Sequence, residues 1–414
     1  MPLTHGQVEP LLEGSAASEV RRQTPREWIR SFDLIRASAI MLVVFAHGRV
    51  LLPQFWRGDY WFAPAHWGIE LFFALSGYLI TGQAIKLATA SNWKASKNFF
   101  MRRFLRTLPL YWLVILVIGL LMDTSPQDIL ANAFFLPTLP LAPQGPSGLI
   151  PVAWSLGIEE VSYLLIGLSA TTIGRCLPSG CDRRSAACLR LAGLHLSLIV
   201  LMLFARWMAS RNGFGFEQIK ASTVLQLDAL SYGGLSAIVL AHPRLRGWFP
   251  CGESMPPART GTLILVLIST LLAMMGLGLA LRFGFLLLQV NSQFQNSTVI
   301  LSQLVVSGHG FSRVICAILI LLAALVPLRS VMPSHRRRWR LLVDIPASSS
   351  YSLYLVHLPI LGAFRTLPPP TPLPITFLLY TFASLLAGWF LYVVVEIPLL
   401  NLRNRFREAP PGPS

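Results

Sequence analysis

Apolar runs long enough to cross a bilayer as helices, or the cores of such runs, recur at 38–52, 67–85, 108–122, 191–205, 261–281, 314–328, 351–364 and 375–395. A helix needs roughly 20 predominantly apolar residues to span the hydrocarbon layer, so this repetition narrows the fold more than any other feature. Composition agrees. Of 414 residues, 54% are hydrophobic and 13% charged, against about 25% charged in a soluble domain. The fold expected is all-α, that of a polytopic integral membrane protein. No cleaved signal peptide is expected, because the first 37 residues hold no apolar core behind their basic stretch.

The formal charge of +16 would suggest nucleic acid binding in a soluble protein. Here the basic residues cluster in alternate loops: "RRQTPREWIR", "KASKNFFMRRFLR", "CDRRSAACLR", "HPRLRGW", "SHRRRWR" and "NLRNRFR". That is the positive-inside pattern. It places those loops in the cytoplasm and leaves no call for a nucleic acid partner. Threading the chain through them predicts ten transmembrane helices with both termini cytoplasmic. A tail over 1–31 precedes a membrane domain over 32–400, and a second tail covers 401–414. The Pro-rich stretch 123–153 is too interrupted to cross comfortably, so it is kept on the outer face and the fourth span begins near Trp154. Cys176, Cys181, Cys188 and Cys251 fall in inner loops and Cys316 in a span. Neither a disulfide framework nor a metal site is expected.

Ionisable residues inside spans are expensive and point to function by default. On the first span, Arg36 and His47 are eleven residues apart, which puts them within roughly 20° of each other on one helix face. His47 has two readings: a general base, or an imidazole bonded to a carbonyl of a neighbouring helix as packing glue. The run "WGIELFFALSGYLITG" carries Glu70 close to its start, near the expected depth of His47. It either holds the imidazole as a catalytic partner or reaches outward to the headgroups. Arg102, Arg103 and Arg106 close the inner end of the third span. They suit phosphates, or they only set orientation and touch lipid. Glu159 and Glu160 in "PVAWSLGIEEVSYLL", Asp228 in "QLDALSYGGLSAI" and His357 in "SSSYSLYLVHLPI" also lie within spans. His357 shares a face with Ser350 and Tyr354, and Glu396 ends the tenth span.

In this order, the motifs resemble acyltransferase family 3, the bacterial membrane O-acyltransferases of cell-surface carbohydrates. The resemblance covers about residues 32–400. It takes in Arg36 with His47, "GIELFFALSGYLI", "RRFLR" with Pro109, "WSLGIEEVSY", Asp228 with Gly233 and Gly234, "SYSLYLVHLPI" and "EIP". It implies a multi-pass protein of the bacterial inner membrane. The co-substrate would be a cytoplasmic acyl-CoA, usually acetyl-CoA, with no bound cofactor. The acceptor would be a carbohydrate such as O-antigen, exopolysaccharide or an oligosaccharide. It also implies that Arg36, Arg103 and Arg106 bind the donor, that His47 is catalytic, and that Trp154, Ser155 and Glu159 belong to the pocket. Glu70 stands where the family often has Asp, and no C-terminal esterase-like domain is expected after the tenth span.

The mechanism expected pairs His47 with Glu70 for catalysis. Ser76, Trp154, Ser155, Glu159, Tyr163, Asp228, Tyr354 and His357 are expected to line the pocket or meet the acceptor. Glu70, Glu159 and Asp228 would accept hydrogen bonds from sugar hydroxyls in the outer half. Two rivals stand beside this reading. One is a glycolipid transporter or flippase relaying protons through its intramembrane acids, although no internal repeat is visible. The other is a catalytically silent scaffold.

Overall fold

The computed structural model describes residues 30–52, 62–138, 148–178, 180–212, 214, 216–246, 309–325, 340–366 and 373–406, and every regular element among them is helical. The principal helices are α1 (Arg30–Gly48), α2 (Phe62–Ala90), α3 (Trp93–Leu121), α4 (Ala153–Arg175), α5 (Arg183–Arg211), α6 (Ser231–Ala241), α7 (His309–Leu325), α8 (Ser350–Thr366) and α9 (Leu373–Leu391). Seven described segments are long and apolar enough to cross a membrane: Ser31–Leu51, His66–Ala90, Trp93–Leu121, Ala153–Arg175, Arg183–Ala209, Val224–Ala241 and Pro374–Asn404. Each coincides with an expected span. The expected spans 314–328 and 351–364 appear as α7 and α8, of 17 residues each. At 1.5 Å per residue they run about 26 Å. The expected span 261–281 lies outside the described residues, as does most of the N-terminal tail.

A helix that is apolar all round must be buried on all sides, and α2 takes that position. It packs against α1, α4, α5, α6 and α7. Glycine lets it approach α6 at backbone distance. A Cβ on Gly77 would strike Leu230 O, and one on Gly233 would strike Ala74 O, so close packing of small residues joins the two helices. At the periphery, Leu116, Leu120, Val200, Phe204, Phe382 and Phe390 are exposed. Apolar surface that extensive suits lipid rather than water.

The stretch expected on the outer face holds only the eight-residue helix Pro126–Ala133 and the short turn Leu136–Thr138 among its described residues. The helix is about 12 Å long, too short to cross. It is pinned to α3, whose Tyr111 hydroxyl donates to Asn132 O at 2.7 Å and whose Trp112 Nε1 donates to Ala133 O at 3.1 Å.

Helix α5 opens on two arginines that bond to the ends of other helices. Arg183 donates to Gly174 O at 2.8 Å and to Thr89 O at 3.2 Å, while Arg184 donates to Ala241 O at 3.1 Å. These carbonyls end α4, α2 and α6, where the last turn leaves acceptors unpaired and the helix dipole is negative. Two neighbouring arginines therefore cap three helices.

Candidate functional site

The arginines expected to bind a donor converge. Arg36 from α1, Arg103 and Arg106 from α3, Ser76 from α2, Ser155, Glu159 and Tyr163 from α4, and Tyr354 from α8 line one cavity of about 80 Å³. Thr107, Ser350 and Tyr351 join them, with Ile69, Phe72, Phe73 and Leu79 forming an apolar wall. Glu159 organises the polar side. It accepts from Ser76 Oγ at 2.8 Å on Oε1 and from the Tyr163 hydroxyl at 2.9 Å on Oε2. The Arg103 guanidinium lies over the Tyr163 ring, 4.3 Å from its centroid, a cation–π contact that leaves the fork's edge open. Among the described residues no carboxylate oxygen lies within 4.0 Å of Arg103 or Arg106, while Arg36 pairs with Asp33 at 3.2 Å. Glu159 thus lines the same cavity as Arg36, Arg103 and Arg106.

Tyr354 forms the cavity wall nearest the two imidazoles. The Tyr354 hydroxyl and Ser155 Oγ share a hydrogen bond at 2.6 Å, and both reach Val152 O, Ser155 Oγ at 3.0 Å and the Tyr354 hydroxyl at 3.4 Å. The Tyr354 ring lies 5.7 Å from that of His357, and the His357 and His47 rings are 5.1 Å apart. His47 Nδ1 is 2.8 Å from Val43 O. A carbonyl only accepts, so Nδ1 carries the proton and Nε2 of the neutral ring keeps the lone pair. His47 is partly exposed, whereas His357 is fully buried.

The expected pairing of Glu70 with His47 is corrected by these contacts. Among the described residues, the hydrogen-bond partners of His47 are Val43 and His357. Glu70 is engaged elsewhere. Its Oε2 accepts from Arg313 Nε at 2.9 Å, and His66 Nε2 is 3.7 Å from its Oε1. The same guanidinium donates to Asp228 Oδ1 at 2.9 Å and to Gln226 Oε1 at 2.6 Å. Arg206 holds Asp228 in bidentate fashion at 2.7 and 2.8 Å. Glu70 and Asp228 are 1% and 0% exposed. The hydroxyl-accepting role expected of both acids is replaced by one buried ionic cluster that ties α2, α5 and α7 to the turn leading into α6.

Trp154 is buried beside Phe73, its ring 5.9 Å from Lys220 Nζ, and does not line the cavity. Glu396 accepts from Ser352 Oγ at 2.6 Å. Arg206 and Arg313, which organise the ionic cluster, went unmarked in the sequence reading. So did His195, a buried ring between Thr81 and Ser231 at 3.0 and 3.1 Å. An arginine near the outer end of a span runs against the positive-inside pattern, and that was the available signal for the two arginines.

A family model described as an acyltransferase domain matches residues 29–393. The peptidoglycan O-acetyltransferase OatA of Listeria monocytogenes is 27% identical over 156 residues, covering 34% of this chain and 24% of that protein. A Staphylococcus aureus (strain COL) protein named "Putative O-acetyltransferase" is 26% identical over 161 residues, covering 35% of this chain and 25% of that protein. The matched stretch is about a quarter of each relative's length. No solved structure matches. With the family model matched from the start of α1 to beyond α9, this chain belongs to acyltransferase family 3.

Proposed function

We propose that the protein is a membrane O-acetyltransferase of the bacterial inner membrane, with ten spans and both termini cytoplasmic. It takes an acetyl group from cytoplasmic acetyl-CoA and passes it to a hydroxyl of a cell-envelope carbohydrate. The observation that carries this reading is the one cavity that Arg36, Arg103 and Arg106 line together, with no carboxylate oxygen within 4.0 Å of Arg103 or Arg106 among the described residues. Guanidinium forks recognise phosphate bidentately, and CoA presents phosphates behind a long, thin thioester arm. The relatives' names support the reaction, and the one that names peptidoglycan supports a glycan acceptor.

In the reaction, His47 Nε2 takes the proton of the acceptor hydroxyl as its oxygen attacks the thioester carbon. The C–S bond then breaks, the CoA thiolate recovers the proton from the imidazolium, and the acceptor leaves as its acetyl ester. Tyr354 and Ser155 line the cavity with the arginines, and His47 lies outside its lining, behind the Tyr354 and His357 rings.

The test is label transfer. Membranes carrying the wild-type protein should move radiolabelled acetyl groups from acetyl-CoA to saccharide. His47→Ala should insert normally yet lose about 10²–10⁴-fold in rate, the usual contribution of a general base. Normal transfer by an inserted His47→Ala protein overturns the proposal.

A further inference from the structure

We infer that His357 is a positioning residue for His47, occupying with a neutral imidazole the place a carboxylate takes behind a catalytic histidine. The inference rests on the acyl-transfer reading above; His357 and His47 lie outside the cavity lining, to which Tyr354 connects them.

The hydrogen-bond directions lead to it. His357 Nδ1 is 2.8 Å from Tyr354 O, an acceptor only, so Nδ1 of His357 carries the proton and Nε2 holds a lone pair. That nitrogen lies 3.4 Å from His47 Nδ1, which carries the proton shared with Val43 O at 2.8 Å. Both rings are then neutral and in the same Nδ1–H tautomer, and the Nδ1–H of His47 donates where the Nε2 of His357 accepts. When His47 Nε2 takes up a proton, the ring becomes a cation and its Nδ1–H donates more strongly. Val43 O and His357 Nε2 are the two acceptors waiting for it. No proton leaves Nδ1, so charge and atoms balance within the step already written.

The arrangement suits its surroundings. A carboxylate behind His47 would have to stay charged inside the membrane through the whole resting state, which is costly. The available acid, Glu70, is held instead by Arg313 at 2.9 Å. His357 is fully buried, so it presents a lone pair without presenting a charge. Its anchor matters as well. Tyr354, whose carbonyl fixes the His357 tautomer, also lines the donor cavity and bonds Ser155 at 2.6 Å. One residue of α8 therefore ties the orientation of the base to the wall along which a thioester would lie.

Two variants and one spectrum test this. Gln at 357 keeps an acceptor near the position of Nε2, whereas Leu removes it. His357→Leu should lower kcat by about 10–100-fold, the scale of losing the partner behind a functional imidazole. Its donor KM should stay within about twofold, and His357→Gln should recover most of the lost rate. Independently of turnover, solid-state NMR of the wild-type protein labelled with ¹⁵N-histidine in bilayers should show His357 protonated at Nδ1 and bare at Nε2. A correlation between that Nε2 and His47 Nδ1 should appear in the same sample. A wild-type kcat in His357→Leu overturns the inference, as does an Nε2-protonated His357. Equal losses in both variants that fall on KM would make His357 a packing residue. If His47→Ala is inactive while His357→Leu turns over normally, this inference alone fails. If His47→Ala is active, the acyl-transfer reading fails with it.

Discussion

Around Asp228, two guanidiniums and two carboxylates take up one another's hydrogen-bonding capacity, whereas around Glu159 three guanidiniums border a cavity and the carboxylate is occupied by hydroxyls instead. The residue types are the same. In the first region, Arg313 spends Nε on Glu70, Nη1 on Asp228 and Nη2 on Gln226, while Arg206 doubles the hold on Asp228. In the second, Ser76 and Tyr163 occupy Glu159, and Arg103 leans on an aromatic face. An intramembrane charge that is matched atom for atom holds helices together. Glu159 and Arg103, matched by neutral groups, border a cavity instead. The distinction lies in the partners, and the cost of burying ions makes both arrangements deliberate.

The largest effect expected from this contrast is on stability. Arg313→Met leaves Glu70 and part of Asp228 buried without their cation, a loss of about 3–5 kcal/mol for a broken buried pair. It should appear as a lower thermal unfolding midpoint in detergent and less protein in the membrane. Adding Glu70→Gln should restore part of the loss, because the stranded charge is then gone. An Arg313→Met protein as stable as wild type but inactive would break the comparison by moving the cluster into the chemistry.

Smaller and of a different kind is the effect at the cavity. Replacing Arg103 and Arg106 together with Ala should raise the apparent donor KM by roughly tenfold or more while kcat changes less, since they hold a remote part of the substrate. Stability should fall little, by about 1 kcal/mol for the lost stacking on Tyr163. An unchanged donor KM would reduce both arginines to topology signals.

How much of this was legible in the sequence follows from which interactions are local. Run length and the alternation of basic loops are properties of single segments, so the spans and the shortness of the 123–153 stretch could be read directly. Arg103 and Arg106 share a helix face by spacing alone, and both line the cavity. Glu70 could not be assigned in the same way. Its partner is 243 residues away on α7, and the rotation of one span against another is set by packing that no single segment encodes. The same holds for His47 and His357, 310 residues apart. Reading Glu70 by its expected depth brought it near His47, but depth without rotation does not decide a contact. Gly233 and Gly234 were noticed as a motif, and only the backbone contact with α2 gives Gly233 its physical reason.

On the proposed function, Arg103 and Arg106 are available to a phosphate-bearing donor, whereas Arg206 and Arg313 are taken up by Asp228 and Glu70. Thermal unfolding of the purified protein with and without acetyl-CoA tests it most directly, because a ligand at 100 times its Kd stabilises the folded state by about 2.7 kcal/mol. Wild type and Arg313→Met should both gain stability on adding acetyl-CoA, the latter from a lower starting point. The Arg103→Ala/Arg106→Ala protein should start near wild type and gain almost nothing. An equal gain in that double variant would contradict the account.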